Sequence, residues 1–286
     1  MNQLLKNCFF ILIMQIPEKL KLRLEKLGTN ENIYGQRTRK CLLSRKPLDL
    51  ECVPWFKDAY LIGESFEKKD EFIFDPVSLV PCLALDPKKD DKLLDMCAAP
   101  GTKTFIMSFL TENEAYITAN DISAFRVKRL KGIVNKYSLS VEVLNQSGRK
   151  IDGNFDKILL DAPCSGEGMV NKKEKLFEHW SEKRLRLLAK KQKKLISHAF
   201  SLLNPGGTLV YSTCTFEPEE NEEVVDFLLK KHPEAKLEGI TLNINHASGL
   251  VKWGDKEYDA SMVNCIRIYP YHNNTGGFFV ANIRKI

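Results

Sequence analysis

Four side chains stand at chemically useful places in this sequence: the thiols of Cys164 and Cys214 and the carboxylates of Asp121 and Asp161. Each ends or closely follows a short apolar run of the kind that forms a buried strand, as in AYITAND, FDKILLDAPC and TLVYSTC. In an open sheet of parallel strands, reactive groups gather just beyond the carboxyl ends of the strands. All four would then face one crevice. A thiolate there is a nucleophile, and a carboxylate is a hydrogen-bond acceptor or proton carrier. One cysteine in such a fold is most often a small hydrophobe. Two of them, each directly after a strand in a turn-prone context, point to nucleophilic chemistry. Asp121 either accepts the two hydroxyls of a ribose or caps the helix that begins near Ser123, and both roles can hold together.

These groups need a frame, and the stretch 93–104, LLDMCAAPGTKT, supplies its first corner. Asp95 and Cys97 close a short apolar run, and Pro100-Gly101 makes a compact turn before a helix-like segment. Strand, tight loop and helix N-terminus form the first turn of an open α/β sheet, where ligands bind. Gly101 would let a ligand approach the backbone. A phosphate-binding Walker loop needs glycine where Cys97 and Thr102 stand, and the dinucleotide pattern G-x-G-x-x-G is missing, so neither a nucleoside triphosphate nor NAD fits. Lys103 either meets a carboxylate of the ligand or lays its stem along the helix surface with its charge in water.

Strands are expected at 92–96, 115–121, 140–144, 155–161 and 208–211, with helices at 77–85, 103–110, 123–136, 184–203 and 219–231. NPGG at 204–207 reads as a helix stop. The helix at 219–231 has acids at its start and lysines at its end, matching the helix dipole. Two last strands, 263–269 and 277–284, flank a loop rich in Asn and Gly and read as a hairpin. The fold class is α/β: a mostly parallel sheet with helices on both faces and a C-terminal antiparallel hairpin. Residues 1–70 read as a small N-terminal extension and 71–286 as the main domain, divided at the charge run 67–70. The extension holds an amphipathic helix at 17–28 with Leu20, Leu24 and Leu27 on one face. The basic stretch 34–47 is either a solvated loop or a phosphate-contacting arm. Residues 53–62 should pack onto the domain that follows.

At 286 residues and 43% hydrophobic, the chain can build a full core without disulfides or metal. A net charge of +6 favours a polyanionic partner without excluding an ordinary enzyme. The 8 cysteines show neither C-x-x-C spacing nor a His-Cys cluster, so no metal site is expected. Free thiols in a Lys-rich chain point to a reducing, cytoplasmic setting. The apolar stretch 8–14, CFFILIM, is far too short to span a bilayer and has no small-residue cleavage site behind it, so no membrane association is expected. Met14, opening MQIPEKLKLRLEKLG, reads as the biological start, and a monomer is expected.

DMCAAPGTKT, ANDIS, KILLDAPCSGEG, NPGGTLVYSTCT with PEENEEVV, and the closing RIYPYHNNTGGFFVA together resemble the Sun/Nol1-type RNA cytosine carbon-5 methyltransferases. The likeness is strongest to the archaeal and eukaryotic tRNA- and rRNA-modifying enzymes, and it runs in order from about residue 72 to the C-terminus. It implies a Rossmann-like methyltransferase fold, S-adenosylmethionine as cofactor and RNA as partner. Cytosine carbon 5 is too poor a nucleophile to attack a sulfonium unaided, and a thiolate adding at carbon 6 activates it. By the resemblance Cys214 is that nucleophile and Cys164 is the second cysteine, which assists release of the methylated RNA. Asp161 would hydrogen-bond ring nitrogen 3 and lie close to the cofactor, with Lys103 near the reacting centre. The backbone of Cys97, Ala98, Ala99, Pro100, Gly101, Thr102 and Lys103 would cradle the methionine part, and Asp121 the ribose.

The sequence departs from the family pattern in three places. Thr102 replaces the second glycine of the loop, and Ser147 stands where an adenine-contacting Asp is expected. The segment before the first strand keeps Ser78 but lacks the family's Gln. The target base must be splayed out of its stack to be reached. Phosphate contacts would come from Arg37, Arg39 and Lys40 and from the basic stretch 172–194, which otherwise is a solvated helical face. Trp180 in that stretch either stacks on a base or packs. A DNA cytosine methyltransferase would use Cys164 as nucleophile, need a large target-recognition region and leave YSTCT unexplained. An RNA-binding assembly factor of the same fold that has lost catalysis is the alternative of another class, supported only by Thr102 and Ser147.

Overall fold

The computed structural model describes residues 16–63, 65–67, 70–169 and 177–286. Its first elements are α1 (Glu18–Lys26), a 3-10 turn at Glu31–Gly35, and an antiparallel sheet of β1 (Lys40–Leu43), β2 (Cys52–Val53) and β3 (Phe56–Ile62). There follow α2 (Leu79–Leu85), β4 (Lys92–Asp95), α3 (Thr102–Leu110), β5 (Tyr116–Asn120), α4 (Ala124–Lys136), β6 (Val141–Leu144) and β7 (Phe155–Asp161). Next come α5 (Glu182–Ser201), β8 (Leu203–Thr213), α6 (Glu222–Lys231), β9 (Ala235–Glu238) and β10 (Ala247–Ser248). A short ribbon of β11 (Lys252–Trp253) and β12 (Lys256–Glu257), then β13 (Ile266–Ile268), α7 (Pro270–Asn273) and β14 (Phe278–Lys285) complete the chain.

The main sheet runs β10-β13-β14-β8-β7-β4-β5-β6. Its five strands from β8 to β6 are parallel, and β14 is antiparallel to both β8 and β13. The expected C-terminal hairpin is thus present, with β9 paired to the second half of β14. From β4 the chain steps outward through β5 and β6, then returns to β7 on the other side of β4. That reversal of strand order opens a crevice beyond the carboxyl ends of the strands.

Period-two alternation splits the core between the two faces. Ile158, Leu160, Leu209, Tyr211, Phe279 and Ala281 pack with Ile196, Phe200, Val225 and Leu228 from α5 and α6. Their neighbours Leu159, Val210, Phe278 and Val280 pack with Leu79, Val80, Ile106 and Met107 from α2 and α3. The N-terminal residues join these cores: Cys41, Val53, Ala59 and Leu61 share the α2/α3 side, which bears out the packing expected of residues 53–62. Leu20, Leu24, Ile33 and Tyr34 pack against Phe177, Phe216 and Tyr269. Among the described residues no helix is long and apolar enough to cross a membrane. The segment 8–14 and Met14 lie outside the described residues.

Two local expectations need correction. NPGG does follow the end of α5, but it belongs to β8, which starts at Leu203 and bulges between the pairs Phe155 to Leu203 and Lys157 to Thr208. Helix α6 starts at Glu222, so Glu217, Glu219 and Glu220 sit in the turn before it, and Glu217, Glu220 and Glu222 are buried. Arg267 on β13 answers Glu222 with a two-pronged pair, 2.6 Å from Nε and 2.5 Å from Nη2, and donates from Nη1 to the Phe216 carbonyl at 2.9 Å. Both side chains are almost wholly buried. Arg267→Met leaves Glu222 buried without its cation and should destabilise the fold by about 3–5 kcal/mol. Urea unfolding checks this, and a loss below about 1 kcal/mol would contradict a buried pair that holds the C-terminal strands to α6.

Candidate active site

Three carboxylates occupy the switch point. Asp95, the last residue of β4, is fully buried, with one oxygen accepting from Thr104 Oγ1 at 2.7 Å and the other without a hydrogen bond. Burial pushes the Asp95 carboxyl up to about 7. Asp161, the last residue of β7, is fixed through both oxygens: Ser212 Oγ donates at 3.0 Å, and Lys103 Nζ lies 2.8 Å away. Lys103 does not lie along the surface with its charge in water. Its side chain is only 12% exposed, with the ammonium 4.9 Å from the centre of the Phe278 ring. Burial works against the Lys103 charge, but Asp161 outweighs it and holds the ammonium above its usual range.

Beside this pair the two thiols meet. Cys164 Sγ and Cys214 Sγ are 3.3 Å apart, both half-buried, on turns that leave β7 and β8. The contact with Cys214, followed by burial, raises the Cys164 thiol well above its ordinary range, so Cys164 keeps its proton. A retained S–H at this distance can donate to the neighbouring sulfur. Backbone and side chain lock the Cys214 turn in place. Thr213 Oγ1 donates to Asn221 Oδ1 at 2.5 Å, and Asn221 Nδ2 donates to the Thr215 carbonyl at 3.0 Å, so one side chain clips both neighbours of Cys214. Gly168 N donates to the Cys214 carbonyl at 2.8 Å. A Cβ on Gly168 would fall 2.4 Å from the Gly277 carbonyl oxygen, so only glycine lets these three segments touch.

The loop 97–103 and the end of β5 form the other half of the crevice. Asn120 ties them, accepting from Ala98 N through its carbonyl at 2.7 Å and donating from Nδ2 to Met96 O at 3.1 Å. Asp121 is 2% exposed and accepts from Ser123 N at 2.9 Å. The helix cap itself is Ser123, whose hydroxyl accepts from Arg126 N, so the capping alternative for Asp121 falls away. Arg126 lies 3.1 Å from Asp121 Oδ2 and also donates to the Ala99 carbonyl. Asp121 Oδ2 nevertheless lacks a hydrogen bond, as does Asp95 Oδ1. Gly101, at φ +117, faces α4 rather than a ligand: a Cβ there would meet Leu130 at 3.0 Å and Ile133 at 3.2 Å. Its freedom serves helix packing. Burial pushes the Cys97 thiol far up and leaves it inert. Ser147 caps the 3-10 turn Gly148–Lys150 without a side-chain hydrogen bond of its own in that cap. Buried carboxylate oxygens still wanting donors suit a ligand that brings hydroxyls, an amino group and positive charge, as S-adenosylmethionine does.

A family model described as 16S rRNA methyltransferase RsmB/F matches residues 82–284. The chain belongs to that family. The resemblance to Sun/Nol1-type enzymes is thereby borne out. The chain is 39% identical over 260 residues to the tRNA (cytosine(49)-C(5))-methyltransferase of Pyrococcus abyssi, covering 86% of this chain and 83% of that protein. It is 37% identical over 216 residues to the human 28S rRNA (cytosine(4447)-C(5))-methyltransferase, covering 73% of this chain and 26% of that one. It therefore spans most of the archaeal relative and about a quarter of the human one. A crystal structure of a methyltransferase homolog from Pyrococcus horikoshii superposes with a TM-score of 0.77 at 27% identity, over 95% of this chain and 100% of that one.

In this RsmB/F member the residues named from sequence fall into two groups. Lys103, Asp161, Cys164 and Cys214 converge, and Asp121 lines the loop 97–103 nearby. The basic candidates are less free than the sequence implied. Arg39 pairs with Glu51 at 2.6 Å, Lys40 with Asp75 at 3.6 Å, and Lys193 with Glu223 at 2.8 Å. Residues 172–176 lie outside the described residues. Trp180 packs against the cluster of Phe177, Phe216 and Tyr269. Sequence reasoning missed Glu220 and Glu167, whose partners Gln192, Ser165 and Thr215 come from other segments, and Asn221 and Arg126, which reach Thr213, Thr215 and Asp121 across a turn. The buried Asp95 gives a pH prediction. Its folded-state pKa of about 7 lies above that of an unfolded carboxylate, so its stabilising contribution is full at low pH and is lost as pH rises through about 7. Asp95→Asn should gain stability over the parent protein progressively from about pH 4 to pH 7 and level off above that in urea unfolding. A difference that stays constant across that range would contradict the assignment.

Proposed function

We propose that this chain transfers a methyl group from S-adenosylmethionine to carbon 5 of cytosine in tRNA or rRNA, through a covalent bond between Cys214 and the base. The observation that carries this reading is the pair of thiols 3.3 Å apart beside an Asp161–Lys103 pair at the carboxyl edge of the sheet. Membership of a methyltransferase family, and relatives named for tRNA and rRNA cytosine C5, support the reaction and substrate class.

When bound, S-adenosylmethionine supplies an electrophilic methyl group. The backbone of Cys97, Ala98, Ala99, Pro100, Gly101, Thr102 and Lys103 would hold its methionine part, Asp121 its ribose and Ser147 its adenine. Cys214 adds its thiolate to carbon 6 of the flipped cytosine, and electron density moves to carbon 5. Asp161, held at both oxygens by Ser212 and Lys103, meets ring nitrogen 3, where a shared proton eases the addition. After transfer the carbon 5 proton passes to solvent base, its bonding electrons re-form the carbon 5–carbon 6 double bond, and Cys214 leaves carbon 6 as thiolate, a departure that Cys164 assists from its place against Cys214. The exposed cations of α5, among them Lys183, Arg186, Lys190, Lys191 and Lys194, give RNA phosphates a surface.

If Cys164 serves release, Cys164→Ala should stall with RNA attached. Incubated with S-adenosylmethionine and a tRNA transcript, it should give a protein-RNA band that survives a denaturing gel. Replacing Cys214 in the same protein should abolish the band. A band that persists without Cys214, or none with tRNA or rRNA despite measurable cofactor binding, would overturn the covalent reading.

A further inference from the structure

Behind the thiols lies a second set of titratable groups with no part in the reaction just described. Glu167, three residues after Cys164, and Glu220, six after Cys214, are both essentially unexposed. Ser165 joins them. Its hydroxyl lies 2.7 Å from Glu167 Oε2 and in close contact with Glu220 Oε1, and 3.0 Å from Thr215 Oγ1. Thr215 in turn is bonded to Glu167 Oε2 and accepts from Glu217 N at 3.1 Å. Ser165 N and Gln192 Nε2 both donate to Glu220, the latter at 2.7 Å. Gln192 also holds the Pro163 carbonyl at 2.9 Å. Residues 163 and 165 flank Cys164, and residue 215 follows Cys214.

Four oxygen-oxygen contacts link two hydroxyls and two carboxyls, yet the hydroxyls bring only two protons. A carboxyl proton must fill at least one more contact. Tyr34 Oη and Glu167 Oε1 mark the same region as wanting a proton partner: both are buried without a hydrogen bond. We propose that Glu167 and Glu220 hold one proton in common across Ser165, and that in this state they position the turns carrying Cys164 and Cys214. The proposal rests on the roles given above to those two thiols.

Burial pushes the carboxyls of Glu167 and Glu220 each up to about 7, so the shared proton is present near neutrality. Among the described residues, the titratable and charged groups facing the pair are Glu217, Glu219, Arg23, Tyr34, Tyr211 and Cys164. Glu217 and Glu219 lie on the same turn as Glu220, and Arg23 of α1 meets them at 2.6 and 2.5 Å. Burial and Glu167 outweigh Arg23 and push the Glu217 carboxyl up to about 8. Tyr34 is raised by burial and by Glu167 and Glu217, and stays neutral. Tyr211, whose hydroxyl donates to the Glu220 carbonyl at 2.6 Å, is raised by burial and by Glu220 and stays neutral, and Cys164 is raised first by Cys214 and then by burial. Losing the shared proton places a second negative charge beside the thiols. That charge opposes a thiolate at Cys214 and drives Glu167 and Glu220 apart, loosening Ser165 from Thr215.

Glu167→Gln and Glu220→Gln each replace one carboxyl by a neutral group of the same shape and prevent the second charge. Alkylation of Cys214 by iodoacetamide, followed peptide by peptide between about pH 6 and pH 9, reads the thiol without RNA or cofactor. In the parent protein the rate should flatten above about pH 7, whereas in either variant it should keep rising and exceed the parent by about threefold or more at the alkaline end. Methylation measured alongside should follow the same divergence. If methylation fails in every protein but the alkylation profiles diverge, the reaction assigned to the thiols is at fault and the shared proton stands. Superimposable profiles, or profiles offset by one factor at every pH, would overturn the proposal. So would an infrared spectrum of the parent protein at about pH 6 without a protonated-carboxyl band, a measurement that needs no variant to fold.

Discussion

The site depends on one alignment: β7 and β8 run parallel with Asp161 opposite Ser212 at their carboxyl ends. The ladder continues one step further, Ala162 N donating to Ser212 O at 2.8 Å. A register slip of one residue would turn every side chain to the other face of the sheet. Val210 on a slipped β8 would then face α5 and α6, and Asp161 would lose its Ser212 bond. With the register fixed, residues two or three beyond the Asp161–Ser212 pair are brought side by side. Cys164 and Cys214 therefore meet at 3.3 Å as a consequence of backbone pairing in the core.

Holding two turns so close requires small residues and many buried polar groups. Gly168 supplies the first requirement, where its backbone touches both Gly277 and the Cys214 carbonyl. Asn221, Ser165, Thr215, Glu220 and Gln192 supply the second, each filling a donor or acceptor that the turns leave open. Arg23 and Tyr34 extend the arrangement to the N-terminal segment, which braces the turn after Cys214 as well as presenting basic residues. A buried polar network of this kind rigidifies when it is satisfied and is costly wherever it is not. Nucleophile geometry and the charge state of the network are thus coupled, because the same turns carry both.

Much of the fold was legible because apolar runs decide it. FDKILLD is buried on both faces, and its expected bounds, 155–161, match β7 residue for residue. The alternation of strands and helices led to the parallel sheet, and the Asn/Gly loop to the antiparallel pair at its end. NPGG misled because Gly-Gly reads locally as a stop, while pairing with β7 carries the chain through it as a bulged strand. The strand-end residues of the site were legible for a related reason: a sheet of this class places them without knowledge of their contacts. Glu167 and Glu220 were not legible. Acids before a helix look like solvated partners of its dipole, and nothing within the local sequence shows that Gln192 and Ser165 will cover them. Lys103 was undecided from sequence for the same reason, since its partner Asp161 is 58 residues away.

The most direct measurement uses RNA in which cytidine is replaced by 5-fluorocytidine. Fluorine cannot leave carbon 5 as a proton does, so a covalent intermediate formed during methyl transfer stays attached to its thiol. Digesting the trapped complex and sequencing the nucleotide-bearing peptide by mass spectrometry identifies that thiol. Attachment at Cys214 is the expected result. Attachment at Cys164, or methylation of unsubstituted RNA with no trapped peptide from the fluorinated one, would contradict a mechanism built on the Cys214 turn.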